Sequence, residues 1–205
     1  MKPKNILLLL ITLSILVTLF YSLRNGGTNE AYKKEIEKER KDKDDYMRNN
    51  SESPFADSVE AFTGLNYFEV DEAFRISANL VPIEEKKTIT LATSDGLEKR
   101  YLPYAYAEFS LQGEECRLLI LEIMDMGPFR GTLFLAFADA TSAKESYGAG
   151  RYLDIKKVPG STSLILDFNK AYNPYCAYNE NFSCPFPPAE NLLKVAITAG
   201  EKVYK

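Results

Sequence analysis

From Lys87 to Phe168 the chain alternates short apolar runs with turn sequences, and the connections are too short for crossover helices. Parallel strands need a crossover of about a dozen residues or more, whereas antiparallel strands close through tight turns. The pattern therefore predicts an antiparallel sheet. Strands are expected at Lys87–Thr93, which meets the hairpin sequence Asp95-Gly96, and at Arg100–Leu111, which ends at Gln112-Gly113. Others follow at Glu115–Met124, Gly131–Ala138, Arg151–Ile155 and Ser163–Phe168, the last two joined through Pro159-Gly160, with a final strand at Lys194–Thr198. Leu118–Leu121 are apolar on both faces, as a central strand requires. Pro187–Leu193 reads as one helical turn with proline near its start. The fold class is thus mainly β, a β-rich α+β domain. It is expected as an antiparallel sandwich or partly open barrel with short helical segments, preceded by an N-terminal membrane helix and a charged stalk helix.

The N-terminal part divides in two. The run from Ile6 to Leu23 carries no charge, follows Lys2 and Lys4, and as a helix would span about 27 Å at about 1.5 Å per residue. A cleaved signal has the same basic start and apolar middle, but the exit at Phe20–Gly27 offers no small-x-small site, which favours an uncleaved anchor over residues 1–27. Residues 28–52 read as a charged stalk or linker helix in which Glu30/Lys34, Glu37/Lys41 and Glu39/Lys43 are acid-before-base pairs at i,i+4. Residues 53–205 form a single β-rich domain. A basic anchor followed by a long folded domain places that domain in the cell envelope, outside the inner membrane. Basic residues just after the span pull toward a cytoplasmic-facing domain, and secretion after cleavage is the other alternative.

Two compositional facts exclude whole classes of function. The chain has no histidine, which removes Ser-His-Asp and Cys-His catalysis and histidine-ligated metals. Its net charge of −4, with no basic cluster outside the mixed-charge stalk, gives no footprint for nucleic acid. The expected partners are the membrane, through the N-terminal helix, and a small polar or anionic ligand.

The densest special chemistry lies between Asp167 and Asn191. Pro174, Pro185, Pro187 and Pro188 forbid long helix or central strand there, and the stretch holds Cys176, Cys184 and a set of amides and carboxylates. Phe62-x-Gly64-Leu65-x-Tyr67-Phe68, Asp139-x-Thr141 and Glu145–Asp154, together with the motifs from Asp167 to Tyr178 and Cys184 to Asn191 and with Ala199–Lys202, resemble the domain-of-unknown-function family DUF1684. Ala143, in the turn after Asp139, and Glu69 depart from the family pattern. The resemblance implies the domain boundaries and implies no reaction.

The residues themselves must carry any reading of the site. Cys176 and Cys184 are close enough in sequence for a disulfide that would stabilise the loop by about 2–3 kcal/mol; a redox pair or two-thiolate metal site is the alternative. Asp139, Asp154, Asp167 and Glu190 fall at predicted strand ends or turns, where they either cap turns or converge as a cation or acid/base site. Their spacing matches no metal-binding loop, and no metal ligand set is assigned. Arg151, flanked by Tyr147 and Tyr152, either clamps an anion or pairs with an internal acid. Asn169, Asn173 and Asn191 fit the satisfaction of loop backbone groups. The candidate ligand-binding set is Asp139, Tyr147, Arg151, Asp154, Asp167, Asn169, Asn173, Tyr178, Glu190 and Asn191. It supports a membrane-tethered binding module, with a cation-assisted hydrolase or an envelope scaffold as alternatives. No cofactor and no catalytic residue is assigned.

Overall fold

The computed structural model describes residues 29–124, 129 and 131–204. The expected membrane span, Ile6–Leu23, lies outside the described residues; among these, no helix is long and apolar enough to cross a membrane. The chain divides into two compact units, Met1–Asp42 and Lys43–Lys205. In the first, residues 29–42 are helical; the second opens with the helical residues 43–49.

The second unit carries one antiparallel sheet of seven strands: β1 Arg75–Pro82, β2 Ile89–Ala92, β3 Glu98–Leu111, β4 Glu114–Ile123, β5 Leu133–Phe137, β6 Arg151–Ile155 and β7 Ser163–Asp167. The order is β6-β5-β4-β3-β1-β7, with β2 paired to β3 beside this path, so the sheet curls as a half-barrel. The hairpins formed at Asp95-Gly96 and Gln112-Gly113, whereas Pro159-Gly160 closes none: β6 and β7 lie at opposite edges of the sheet and pair with β5 and β1 instead. Gln112 and Gly113 link β3 to β4 with φ of 56° and 83°, the two left-handed residues that match the twist of a tight hairpin.

β1 is the strand that hairpin reading missed. Its sequence, Arg75-Ile-Ser-Ala-Asn-Leu-Val-Pro82, alternates weakly, and only Ala78 is fully covered. Yet it joins the two halves of the sheet, pairing through Arg75–Asn79 with β7 and through Asn79–Pro82 with β3. Along the same side of β3, β2 covers Glu98–Tyr101 and β1 covers Ala105–Glu108. Pro103 sits in the gap between them, at a register shift, where the amide it lacks is not needed on that side.

The sheet is buried on both faces. Leu118 and Ile120 of β4 with Leu133, Leu135 and Phe137 of β5 point into the main core with Phe109, Leu166 and Phe168. Leu119, Leu121, Phe134 and Ala136 point the other way, against Tyr152 and Cys184. The proline-rich segment covers this second face, because Tyr172, Tyr175, Cys176 and Phe182 pack on it. Burying two faces of one sheet explains why β5 is buried at every position. A third cluster joins Met47 of the helical segment to Phe55, Phe62 and Leu65, with Tyr178 and Tyr204 against it.

The expected strand at Lys194–Thr198 does not form; Lys194 and Val195 lie in a bend, and Ala196–Thr198 join no strand ladder. Side chains take the place of a neighbouring strand. The Ile197 amide donates to Asp139 Oδ1 at 3.2 Å and the Ile197 carbonyl accepts from Arg151 at 2.8 Å, while the Gln112 amide donates to the Ala196 carbonyl at 3.3 Å.

Candidate functional site

Arg151 opens β6 and is completely buried. A buried guanidinium needs acceptors for its N–H groups, and its four terminal ones find four. One terminal nitrogen donates to Asp139 Oδ2 at 2.8 Å and to the Ile197 carbonyl; the other donates to the carbonyls of Ala199 at 2.5 Å and Glu201 at 3.1 Å. Gly200, with φ of 77°, bends the chain between the last two, and one planar fork holds the carbonyls of Ile197, Ala199 and Glu201 together. Phe68 and Phe137 lie against the guanidinium at 5.7 and 5.4 Å. Asp139 is as deeply placed: its Oδ1 accepts from the Thr141 amide at 2.8 Å and the Thr141 hydroxyl at 2.6 Å. Expected as a ligand clamp or an internal pair, Arg151 is an internal pair. Its side chain has no exposed surface to offer an anion.

A second buried carboxylate adjoins it. Glu201 is fully buried, and its Oε2 receives Lys43 at 3.0 Å and the Asn173 amide at 3.2 Å. Its Oε1 receives the Asn173 side-chain amide at 2.8 Å and the Tyr178 hydroxyl. Sequence reading picked out Asn173 and Tyr178 but not their acceptor. The motif Ala199–Lys202 was visible, but nothing in it announces a buried acid. Three charges, Arg151, Asp139 and Glu201, are thus buried in one interior with the half-buried Lys43 at its edge, and each buried charge needs a partner to offset its desolvation.

Asn191 performs a different task. β4 and β5 pair only at Leu121/Phe134 and Glu122/Leu133, then separate. The Asn191 side chain enters the gap: its Oδ1 accepts from the Leu119 amide at 2.7 Å, and its Nδ2 donates to the carbonyls of Leu119 and Ala136 at 2.9 and 2.8 Å. One primary amide thereby replaces rungs of the ladder. Asp167 and Asn169 form another local knot, in which Asn169 exchanges hydrogen bonds with the Asp71 backbone at 2.9 and 2.7 Å.

The remaining candidates lie elsewhere. Exposed Asp154 accepts from the Tyr172 hydroxyl at 2.8 Å, and exposed Glu190 bonds to Tyr106. Tyr147 places its hydroxyl 3.9 Å from the Cys176 sulfur. The four carboxylates of the hydrolase reading therefore have separate partners. Among the described residues, no three His, Cys, Asp or Glu side chains stand together as a metal site.

Cys176 and Cys184 are free thiols rather than the disulfide their spacing permits. They nevertheless touch. Cys176 sits in the short turn Tyr175–Ala177, and its amide donates to the Cys184 sulfur at 3.3 Å. Cys184 is fixed to the hairpin after β2, where Ser94 accepts from its amide at 3.1 Å and donates its own amide to the Cys184 carbonyl at 2.9 Å. A hydrogen bond from the Cys184 thiol, helped by the Ser94 and Tyr147 hydroxyls, lowers the Cys176 thiol to about 6 despite partial burial. The Cys184 thiol is raised because it is the donor to Cys176 and is buried. Burial, with the sulfur of Cys176 next to it, raises Tyr147 to about 12.

The loop between the two thiols also forms a wall. A cleft of about 500 Å³ lies between Pro54, Phe55, Ser58 and Ala61 on one side and Ala177–Asn181 on the other, with Tyr204 closing it. Phe55, Tyr178 and Tyr204 pack on one another with centroids 5.4 to 5.6 Å apart. Asn179 ties the two walls, donating to the Pro54 carbonyl at 3.0 Å.

The fold and its knots now have a context. Residues 60–202 match the family described as "Protein of unknown function (DUF1684)". The chain belongs to that family. It is also similar to the uncharacterized protein of Haloarcula marismortui whose solution NMR structure is known, with 35% identity and a TM-score of 0.64 over 85% of this chain and 95% of that one. No curated protein matches.

Proposed function

We propose that this DUF1684 chain is a binding module whose polar motif is its internal clasp and whose ligand site is the cleft beside Tyr178. The observation that carries the reading is the internal use of the Arg151 head group: no exposed surface, and four internal acceptors for its four terminal N–H groups, with only the buried Nε left unpaired. Asp139, Asn173, Asn191 and Glu201 are committed in the same way, so the motif builds a scaffold and leaves recognition to its surface.

The cleft between Phe55 and Asn181 supplies aromatic edges, amides and the Glu180 carboxylate, and no Lys or Arg lines it. That lining suits a small neutral or cationic polar molecule rather than an anion. A thermal-melting screen of such molecules tests the reading. Binding should raise the melting temperature, and Glu180→Lys with Asn181→Ala should abolish the rise while leaving the unliganded melt unchanged. If no molecule shifts the melt, or if those two changes leave the shift intact, the cleft is not the site.

The uncharged run Ile6–Leu23 supports a tether holding this module at a membrane. Full-length chain should then stay with membranes through alkaline carbonate washing; release into the wash would refute a spanning tether.

A further inference from the structure

Two neighbouring thiols of unequal exposure need a role that the clasp does not require. Cys184 is 8% exposed and anchored through both its amide and its carbonyl to Ser94 on a sheet hairpin. Cys176 is half-buried, on a turn of the covering segment, and its rim is formed by half-buried Tyr147 and exposed Ser94. The two cysteines are in direct contact, since the amide of Cys176 donates to the Cys184 sulfur at 3.3 Å, and the Tyr147 hydroxyl stands 3.9 Å from the Cys176 sulfur. Cys116 supplies an internal contrast. It is buried on β4, its polar contact is the nearby Glu114 carbonyl at 3.7 Å, and burial raises its thiol. If the chain needed sulfur only for packing, Cys116 shows the environment that packing alone produces.

We infer that Cys176 and Cys184 are a redox-active dithiol that reduces a disulfide substrate, with Cys176 as the attacking sulfur and Cys184 as the resolving one. In the first step the Cys176 thiolate attacks one sulfur of the substrate disulfide. A bond forms between Cys176 and that sulfur, the substrate S–S bond breaks, and the other sulfur leaves as a thiolate. In the second step Cys184 loses its proton to solvent and attacks the Cys176 sulfur. The Cys176–Cys184 bond forms and the second substrate thiolate leaves. The protein is oxidised by two electrons and loses two protons, and the disulfide becomes two thiols.

The geometry assigns each role. The attacking sulfur must be reachable and stabilised as thiolate: Cys176 is the less buried of the two, the Tyr147 hydroxyl stands 3.9 Å from its sulfur, and its thiol is lowered. The resolving sulfur must be close but shielded, so that it meets the mixed disulfide and not the substrate. Cys184 is both. The short turn Tyr175–Ala177 carries one sulfur while the hairpin fixes the other, so bond formation moves a loop and leaves the sheet in place.

Glutathione disulfide is the probe, added to the reduced full-length chain and followed by intact mass and peptide mapping. The expected result is a transient single glutathione adduct on Cys176, then a Cys176–Cys184 bond with release of the second glutathione and no modification of Cys116. Cys184→Ser should stop at the adduct. The rate should level off below the usual thiol range, because the Cys176 thiol is lowered by its hydrogen-bonding neighbours, instead of climbing through that range. Excess reduced glutathione should reopen the bond. A first adduct on Cys184 or Cys116, or a rate still rising to alkaline pH, would overturn the assignment. So would a bond that excess glutathione leaves closed, since the pair would then be a structural bridge. Wild-type chain alone decides among these outcomes, because Cys116 is the control within the same molecule.

Discussion

Replacing Arg151 with methionine is the most direct test of the clasp. Methionine approximates the length of the arginine stem and fills the space between Phe68 and Phe137, so packing is largely kept. What goes is the charge and four hydrogen bonds, leaving buried Asp139 without its cation and the carbonyls of Ile197, Ala199 and Glu201 without their donor. Removing one partner of a buried pair costs about 3–5 kcal/mol. Against a total stability of about 5–15 kcal/mol this is a large fraction, and at about 2–4 °C per kcal/mol the melt should fall by about 6–20 °C.

Urea denaturation of Arg151→Met, Asp139→Asn and the double variant apportions the loss. Asparagine keeps an oxygen for the amides of Thr141 and Ile197 while removing the charge. The double variant should therefore be more stable than the sum of the single losses predicts, with a coupling of about 1–3 kcal/mol. Arg151→Lys should restore only part of the stability, because three N–H groups on one nitrogen cannot serve four separated acceptors. A loss below about 1 kcal/mol for Arg151→Met, or strict additivity in the double variant, would refute the account of Arg151 as the clasp.

Asn191→Ala should cost about 3 kcal/mol or more, since three buried backbone groups lose their partner, and amide exchange at Leu119 should accelerate well before global unfolding. Gly150→Ala should cost about 2–4 kcal/mol in denaturant titration: its φ is +91° and an added Cβ would stand 2.6 Å from the Phe137 carbonyl oxygen and from Pro187. Burial raises the hydroxyls of Tyr152, Tyr172 and Tyr178 above the ordinary value of 10.0, with Asp154 adding to the effect at Tyr172 and Glu201 at Tyr178. A group raised in the folded state contributes stability below its unfolded value and loses it as pH climbs past that value. Melting temperature should accordingly fall above about pH 10, with tyrosinate absorbance from these groups appearing only as the protein unfolds; full tyrosinate absorbance in the native state would contradict the burial.

Most of the strands that the sequence displayed pair with their neighbours in the chain, β7 with the distant β1 being the exception. Asp95-Gly96 and Gln112-Gly113 impose turns through local torsions, and the apolar runs beside them pair across those turns; Pro159-Gly160 also turns the chain, but β6 and β7 on either side of it pair with β5 and β1. β1 was illegible for the opposite reason. Half of its length is solvated, and it pairs with β7 and β3, far along the chain in one case and beyond β2 in the other. Lys194–Thr198 looked like a strand because its composition suits an extended chain; composition cannot reveal the bend at Lys194–Val195, nor that Arg151, Asp139 and Gln112 take the place of a neighbouring ladder.

The candidate site divides along the same line. The sequence alone determined that histidine chemistry is absent, that the segment from Asp167 to Asn191 is irregular, and that its polar residues must answer to backbone groups, since prolines remove donors and buried amides require partners. Tertiary structure decided which groups meet. Arg151 reaches Asp139 across 12 residues and the C-terminal carbonyls across 46 to 50, and Glu201 gathers Lys43 from 158 residues away. A charge on paper has no preference among acids. Burial supplies one, because inside a low-dielectric core each ion must find the partner that the fold brings within hydrogen-bond reach.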